Sequence, residues 1–360
     1  MLKPILQYKN LKAFILITSL LFLAAACSND QETHEPTAGT HVGLGTASRI
    51  TIYDQPEDRA ENTLGLVFDR IDEIEARMSL YDEQSEINQV NRHSGTGTAS
   101  VSEDTYQVLK LAKEVAESSG GAFDPTVGPL ITEWGFSTDE PKVPSGERIA
   151  SLTELVDYRK LNLSREGEAE LLKEGMKLDL GGIAKGYAAD EANRIIREEG
   201  SSSALVNLGG NIMLVGEKPD GTPWRIGIQD PESHRGDYVL ILFLDSGTVV
   251  TSGIYERFFH ENDTMYHHLL DTKTGYPAEN NLESVTIVTE NSAYADAVST
   301  AAFILGLDGG WDYLESLEGT EGIFLTRDKD VYMTSGFGPE GIDYTLSDES
   351  YEIRTGAPGT

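Results

Sequence analysis

The stretch Lys177-Leu178-Asp179-Leu180-Gly181-Gly182-Ile183-Ala184-Lys185-Gly186-Tyr187-Ala188-Ala189-Asp190 organises the reading of this chain. Leu178 and Leu180 flank Asp179 in strand alternation, two glycines follow, and residues 184–197 carry the apolar spacing of a helix. Glycine lets a backbone approach a ligand closely, and a helix N-terminus offers unpaired N–H groups at the positive end of its dipole. A phosphate suits such a turn. The same residues also suit an ordinary strand-to-helix connection, so this stretch by itself leaves both readings open.

Outward from this turn, residues 170–180 read as a hairpin around Glu174-Gly175. Upstream, Leu64, Val67, Phe68, Ile71, Ile74 and Met78 recur at three- and four-residue spacing and predict an amphipathic helix. Met78-Ser79-Leu80-Tyr81-Asp82 then opens a polar loop holding Ser85, Glu86, Asn88 and Asn91. Further helices are expected over 103–118 and 149–158, and residues 41–54 alternate as one strand. Downstream, strands are expected over 204–217 with an interruption at Asn207, then over 224–229, 238–244, 248–252 and 284–289. Helices over 293–305 and near 311–317 precede two last strands, and from Gly336 the chain reads as an acidic tail, 336–360. No repeat or linker divides it, which predicts a single two-lobed α+β catalytic unit of mixed sheets and packed helices over 41–335.

The N-terminus sets the compartment. Lys3, Lys9 and Lys12 precede an apolar run over 14–26 that is too short for a comfortable membrane span, and Leu23-Ala24-Ala25-Ala26-Cys27 follows. Residues 1–26 read as a lipoprotein signal peptide, Cys27 as the lipidated first residue of the mature chain, and 27–40 as a flexible tether. The alternative is a signal anchor with an incidental cysteine. Cys27 is the sole cysteine, so no intrachain disulfide forms. This predicts an extracytoplasmic domain attached to a bacterial membrane through lipid. The formal net charge of −32 repels nucleic acid and anionic lipid alike. An anionic ligand must be met by a local cation or a helix terminus.

Asp296 and Thr300 stand four residues apart on the 293–305 helix, so their oxygens share a face near its start. They form either a helix cap or part of a hard-cation site of the kind magnesium uses. His267 and His268 precede Asp271 and the turn Thr274-Gly275-Tyr276-Pro277; each is either structural or a base working near neutral pH. No nucleophile elbow, zinc motif, Walker A or dinucleotide fingerprint is present.

Together these segments resemble the ApbE family of flavin transferases, which move FMN from FAD onto a Thr or Ser of an acceptor protein and release AMP. The resemblance runs in order through Met78–Asp82 with Ser85-Glu86, Gly121-Ala122-Phe123-Asp124-Pro125 with Gly128-Pro129-Leu130, the opening stretch, Asn207-Leu208-Gly209-Gly210-Asn211, and His268-Leu269-Leu270-Asp271 with its turn. It covers about 42–333. It implies an ApbE-like, T-fold-related unit, FAD as substrate, magnesium as cofactor and a flavin-accepting extracytoplasmic protein as partner. It also implies roles. Leu44, Tyr81, Ala122, Phe123, Asp124, Asp179, Lys185 and Leu270 match FAD contacts, while Gly182 through its carbonyl, Asp296 and Thr300 match the magnesium site. His268 matches the base. Thr272 departs from the family's usual proline, and Leu44 from its usual methionine. The rival readings are an FAD pyrophosphatase giving FMN and AMP, and a non-catalytic FAD-binding lipoprotein.

Overall fold

Apolar alternation on both faces builds the central sheet. The computed structural model describes residues 34–233 and 236–359, so the leader over 1–26 and Cys27 lie outside the described residues. Strand β1 (Thr37–Gly43) turns into β2 (Thr46–Ile52), and helices α1 (Glu57–Met78) and α2 (Glu86–Arg92) follow. Next come β3 (Ala99–Ser100), α3 (Glu103–Ser118), α4 (Gly128–Trp134), α5 (Gly146–Thr153), β4 (Leu161–Asn162), β5 (Glu168–Leu171) and α6 (Ala184–Glu198). Strands then dominate: β6 (Ala204–Leu208), β7 (Asn211–Val215), β8 (Trp224–Gln229), β9 (Tyr238–Leu244), β10 (Gly247–Gly253), β11 (Phe258–Glu261), β12 (Thr264–His267) and β13 (Leu282–Thr289). The chain ends with α7 (Ser292–Glu315), β14 (Glu321–Thr326), β15 (Asp330–Met333), β16 (Asp343–Leu346) and β17 (Glu352–Arg354).

Nine strands pair in the order β1-β2-β6-β7-β10-β13-β14-β15-β17. All these pairings are antiparallel except β15 with β17. One face of this sheet, with Met213, Val215, Val250, Ile287 and Phe324, packs under α1, α3, α6 and α7 in the larger core. The other face, with Leu214, Val249, Val288, Ile323 and Leu325, packs on β8 and β9 in a second core. Strand β13 is buried on both sides over 284–288 although Ser284 and Thr286 interrupt its apolar residues, while β9 is a continuous apolar run with Ile241 and Phe243 half-buried. Helix α1 buries Leu64, Val67, Ile71, Ile74 and Met78 at the predicted spacing. Helix α7 joins the two expected helices into one element across a break at Gly306, where φ is 76°.

Four local expectations change. The strand expected over 41–54 is two, β1 and β2, because Leu44 and Gly45 both take positive φ, 53° and 70°, and reverse the chain in a two-residue turn; β1 starts at Thr37, so residues 37–40 of the segment read as a tether are strand. The helix expected over 149–158 ends at Thr153, and a 3-10 turn occupies Tyr158–Lys160. No hairpin forms over 170–180; only β5 is a strand there, since the backbone after Met176 bonds elsewhere, as described below. The stretch read as a tail carries β16, paired to β9, and β17, paired to β15. Tyr351 anchors it, 4% exposed with its hydroxyl donating to Asp230 at 2.9 Å.

Candidate functional site

The residues around the opening turn are fixed by partners distant in sequence. The Asp179 N–H donates to the Pro125 carbonyl at 2.9 Å, and the Leu178 N–H donates to Asn91 Oδ1 at 2.6 Å. Lys177 bridges Val127 in parallel. These bonds lay residues 177–180 along 125–127, so two segments that are far apart in the chain form one wall. The polar loop after Met78 serves the same wall from behind: Ser85 caps α2, and Asn88 donates to the Leu80 and Asp82 carbonyls at 2.7 and 2.8 Å. Beyond Gly181-Gly182, α6 starts with no side-chain cap. Its first turn faces the start of α7.

At α7 the two readings of Asp296 separate. Asn291 caps that helix, accepting from the Tyr294 N–H at 2.7 Å, while Asp190 accepts from the Ser292 and Ala293 N–H groups at 2.8 Å each. Asp296 is not the cap. It is 3% exposed, accepts from the Gly186 N–H at 3.0 Å through Oδ2, and has the Lys185 ammonium 3.3 Å from Oδ1. A turn later, the Thr300 hydroxyl donates to the Asp296 carbonyl at 3.3 Å and lies 3.3 Å from Ser252 Oγ. A Cβ placed on Gly182 would stand 3.5 Å from Thr300 Oγ1 and 3.2 Å from the Phe123 ring. Glycine at 182 therefore keeps open a small space bounded by a hydroxyl, a ring and its own backbone, beside a carboxylate that already attracts a cation.

That donor set tests the fit of a metal. Among the described residues no group of three or more His, Cys, Asp and Glu side chains could hold one. A carboxylate, a hydroxyl and a carbonyl are hard oxygen donors of the type magnesium accepts, and an ion with so few protein ligands takes the rest from water or from the phosphates of its substrate. The residues fit that cation.

His268 carries the opposite chemistry. Its Nδ1 lies 3.2 Å from the Arg257 carbonyl, which can only accept, so the proton sits on Nδ1 and the lone pair on Nε2. Burial, then the charges of Arg257 and His267, hold its pKa down to about 3. Burial also raises the Asp179 carboxyl, opposed by the Gly181 N–H at 2.9 Å and by the charges of Arg257 and Lys185. The charges of Arg257 and Lys185 thus act on both Asp179 and His268.

Arg257 was no candidate on sequence. Its Nη1 donates to Ser137 Oγ at 3.2 Å, and Nη2 lies 3.2 Å from where a Cβ of Gly45 would be, so it reaches under the tip of the β1–β2 hairpin. It makes no ion pair among the described residues. The available signal was Asn262-Asp263: a two-residue turn there sets residue 257 opposite 268, and both turn residues do take positive φ. Ser252 and Ser299, 2.8 Å apart beside Thr300, were also missed.

The remaining candidates divide. Leu44 holds the hairpin tip in the left-handed region, a strained place for leucine, on the side that Arg257 approaches. Ala122 and Phe123 are buried at the wall. Asp124 is turned inward: its carboxylate accepts from the Thr126 N–H and hydroxyl at 2.8 and 2.6 Å and from the Tyr158 N–H at 2.9 Å, and burial raises its pKa. Its side chain braces the loop carrying Phe123. Leu270 packs with Trp134, Leu130 and Ile149 in a third core. Tyr81 is 54% exposed on its loop, where its N–H donates to Ser79 Oγ at 3.1 Å. Thr272 replaces the expected proline with a tie, its hydroxyl donating to the Gly121 carbonyl at 2.5 Å.

Comparison with known proteins places this geometry. A family profile described as the ApbE family matches residues 44–324. The FAD:protein FMN transferase of Treponema pallidum is 33% identical over 309 residues, covering 81% of this chain and 85% of its own. That of Klebsiella pneumoniae is 30% identical, covering 87% and 95%. Among solved structures, the ApbE protein of Thermotoga maritima superposes with a TM-score of 0.77 at 33% identity, covering 84% of this chain and 97% of its own. The flavin transferase ApbE of Vibrio cholerae gives 0.73 at 25% identity, covering 88% and 98%. With those matches, this chain belongs to the ApbE family.

Proposed function

We propose that the protein transfers FMN from FAD to a Ser or Thr hydroxyl of a flavin-accepting extracytoplasmic protein and releases AMP. The observation that carries this reading is a pair of cations shared by two groups: Lys185 lies 3.3 Å from Asp296 Oδ1, beside Thr300, and its charge acts together with that of Arg257 on His268, whose Nδ1 bonds the Arg257 carbonyl. In the reaction, the acceptor hydroxyl gives its proton to His268 Nε2 as its oxygen bonds to the phosphorus of the FMN half. The P–O bond to AMP breaks and AMP leaves with the electron pair. Arg257 and Lys185 bind the diphosphate, and the uncapped start of α6 offers N–H groups to its charge. Magnesium, held by Asp296, Thr300 and the Gly182 carbonyl, would supply charge neutralisation at the diphosphate oxygens. Phe123 and Leu44 offer apolar surface to the flavin.

A diphosphate between Arg257 and Lys185 offsets the charges that help to depress His268. Substrate binding therefore raises the histidine toward the range where it is an effective base. The sequence of the leader supports attachment of the mature chain to a bacterial membrane through lipid on Cys27, and Cys27→Ser should move the protein to the soluble fraction.

Incubating the full chain in detergent with FAD, magnesium and extracytoplasmic proteins of its host should give a fluorescent band that survives a denaturing gel and an FMN mass on one hydroxyl. FMN and AMP forming equally fast with and without acceptor would favour the pyrophosphatase instead. Bound but intact FAD would favour a carrier.

A further inference from the structure

The hairpin β11–β12 leads straight into His268, and one of its edges is open. The His268 N–H donates to the Arg257 carbonyl at 3.1 Å, which makes residues 257 and 268 a hydrogen-bonded pair. Antiparallel pairs alternate, and the register sets Phe258 opposite His267 and His260 opposite Met265. Both of those are non-hydrogen-bonded pairs. The backbone N–H and C=O of Met265 and of His267 therefore point away from β11, and none has a hydrogen-bond partner in the rest of the described chain.

A groove of about 560 Å³ lies on that side, between residues 264–267 and the segment 276–281. The two walls meet only at its end nearest the site, where Ala278 N–H donates to the Leu269 carbonyl at 2.9 Å and Leu270 bridges Pro277. His267, which lines this groove, is 4% exposed and holds its ring edge-on to Phe303, so only its backbone faces the open side.

We propose that the open edge of β12 is where an extended segment of the flavin-accepting protein adds as a strand, delivering its Ser or Thr hydroxyl to His268. The inference rests on the transferase reading. Backbone pairing with Met265 and His267 supplies affinity, and the strand's direction supplies aim, because the next residue along β12 is the base itself. The edge is short, as exposed edges in soluble proteins are, and its charged neighbours Glu279 and Arg327 blunt unspecific pairing.

The test uses the flavin-labelled protein recovered above, with its target hydroxyl removed by Thr→Val or Ser→Ala. Added to the full chain with FAD, it should slow hydrogen exchange at the Met265 and His267 amides by tenfold or more. Met265→Pro removes one outward N–H and no bond to β11; it should raise KM for the acceptor at least tenfold while FAD affinity and the thermal midpoint stay put, and Met265→Ala should not. Unprotected amides at 265 and 267, with protection elsewhere, would overturn the docking edge and leave the transferase reading intact. If no host protein is labelled at all, both fall together.

Discussion

The Gly186 N–H donates to Asp296 Oδ2 at 3.0 Å, so the first turn of α6 and the first turn of α7 share one carboxylate. Gly186 permits this by having no side chain: a Cβ there would stand 2.1 Å from the Ser292 carbonyl oxygen. Site and packing are the same contact. Gly186→Ala should destabilise the protein by about 3 kcal/mol through overpacking, seen as a lower denaturant midpoint, and should abolish transfer in the fraction that stays folded.

Asp296→Asn keeps an acceptor for Gly186 and loses the charge. Its thermal midpoint should stay within a few degrees of wild type, while the transfer rate falls about 10²–10³-fold, the scale of losing a preorganised electrostatic partner. Titration with magnesium should need a higher concentration for the remaining activity. Wild-type rates with Asn at 296 would return Asp296 to a packing role.

Arg257 is expected to act on FAD and on His268 together. Arg257→Gln should raise KM for FAD at least tenfold, about 1.4 kcal/mol in binding. The pH profiles carry the finer prediction. In the protein without substrate, His268 remains neutral down to about 3, so the acid limb of kcat/KM should lie low. The acid limb of kcat should lie at higher pH, because a bound diphosphate offsets Arg257 and Lys185. Coincident limbs would contradict that coupling.

His267 gives a stability prediction with a definite sign. Burial lowers its pKa to about 4 in the folded chain, below the usual value of 6.5. Between those values the unfolded state binds more protons, so stability rises with pH across the window and is lost as pH falls from 6.5 toward 4. The contribution has a slope of at most about 1.4 kcal/mol per pH unit. Unfolding curves of wild type and His267→Gln should diverge in this window, with the variant showing the shallower dependence. Parallel curves would show that His267 does not titrate there.

Much of the fold was legible because its elements carry local signals. Apolar residues at helical spacing placed α1 and α3, alternation placed β8, and a continuous apolar run placed β9, both strands at their observed bounds. The failures have a common cause. Leu44 is no usual turn residue, yet the hairpin closes through it because strand pairing on both sides dictates the reversal. Residues 177–180 look like a strand, but their backbone partners are Pro125 and Asn91, which no local pattern reveals. The last strands were hidden in acidic sequence because they need only a few anchors, Tyr351 chief among them.

The sequence by itself determined the inventory: the glycines before a helix, the carboxylate and hydroxyl four residues apart, the paired histidines, and the order of segments that marks the family. It left Asp296 undecided between cap and ligand, and Arg257 unnoticed. Tertiary structure removed the cap reading and brought Arg257 to the site. Asn291 and Asp190 take the cap bonds and so free Asp296, and the turn at Asn262-Asp263 carries Arg257 back beside His268. A residue's chemistry is written in its side chain, but its task depends on which neighbours satisfy or leave open its hydrogen bonds and charge, and those neighbours meet only when the chain folds.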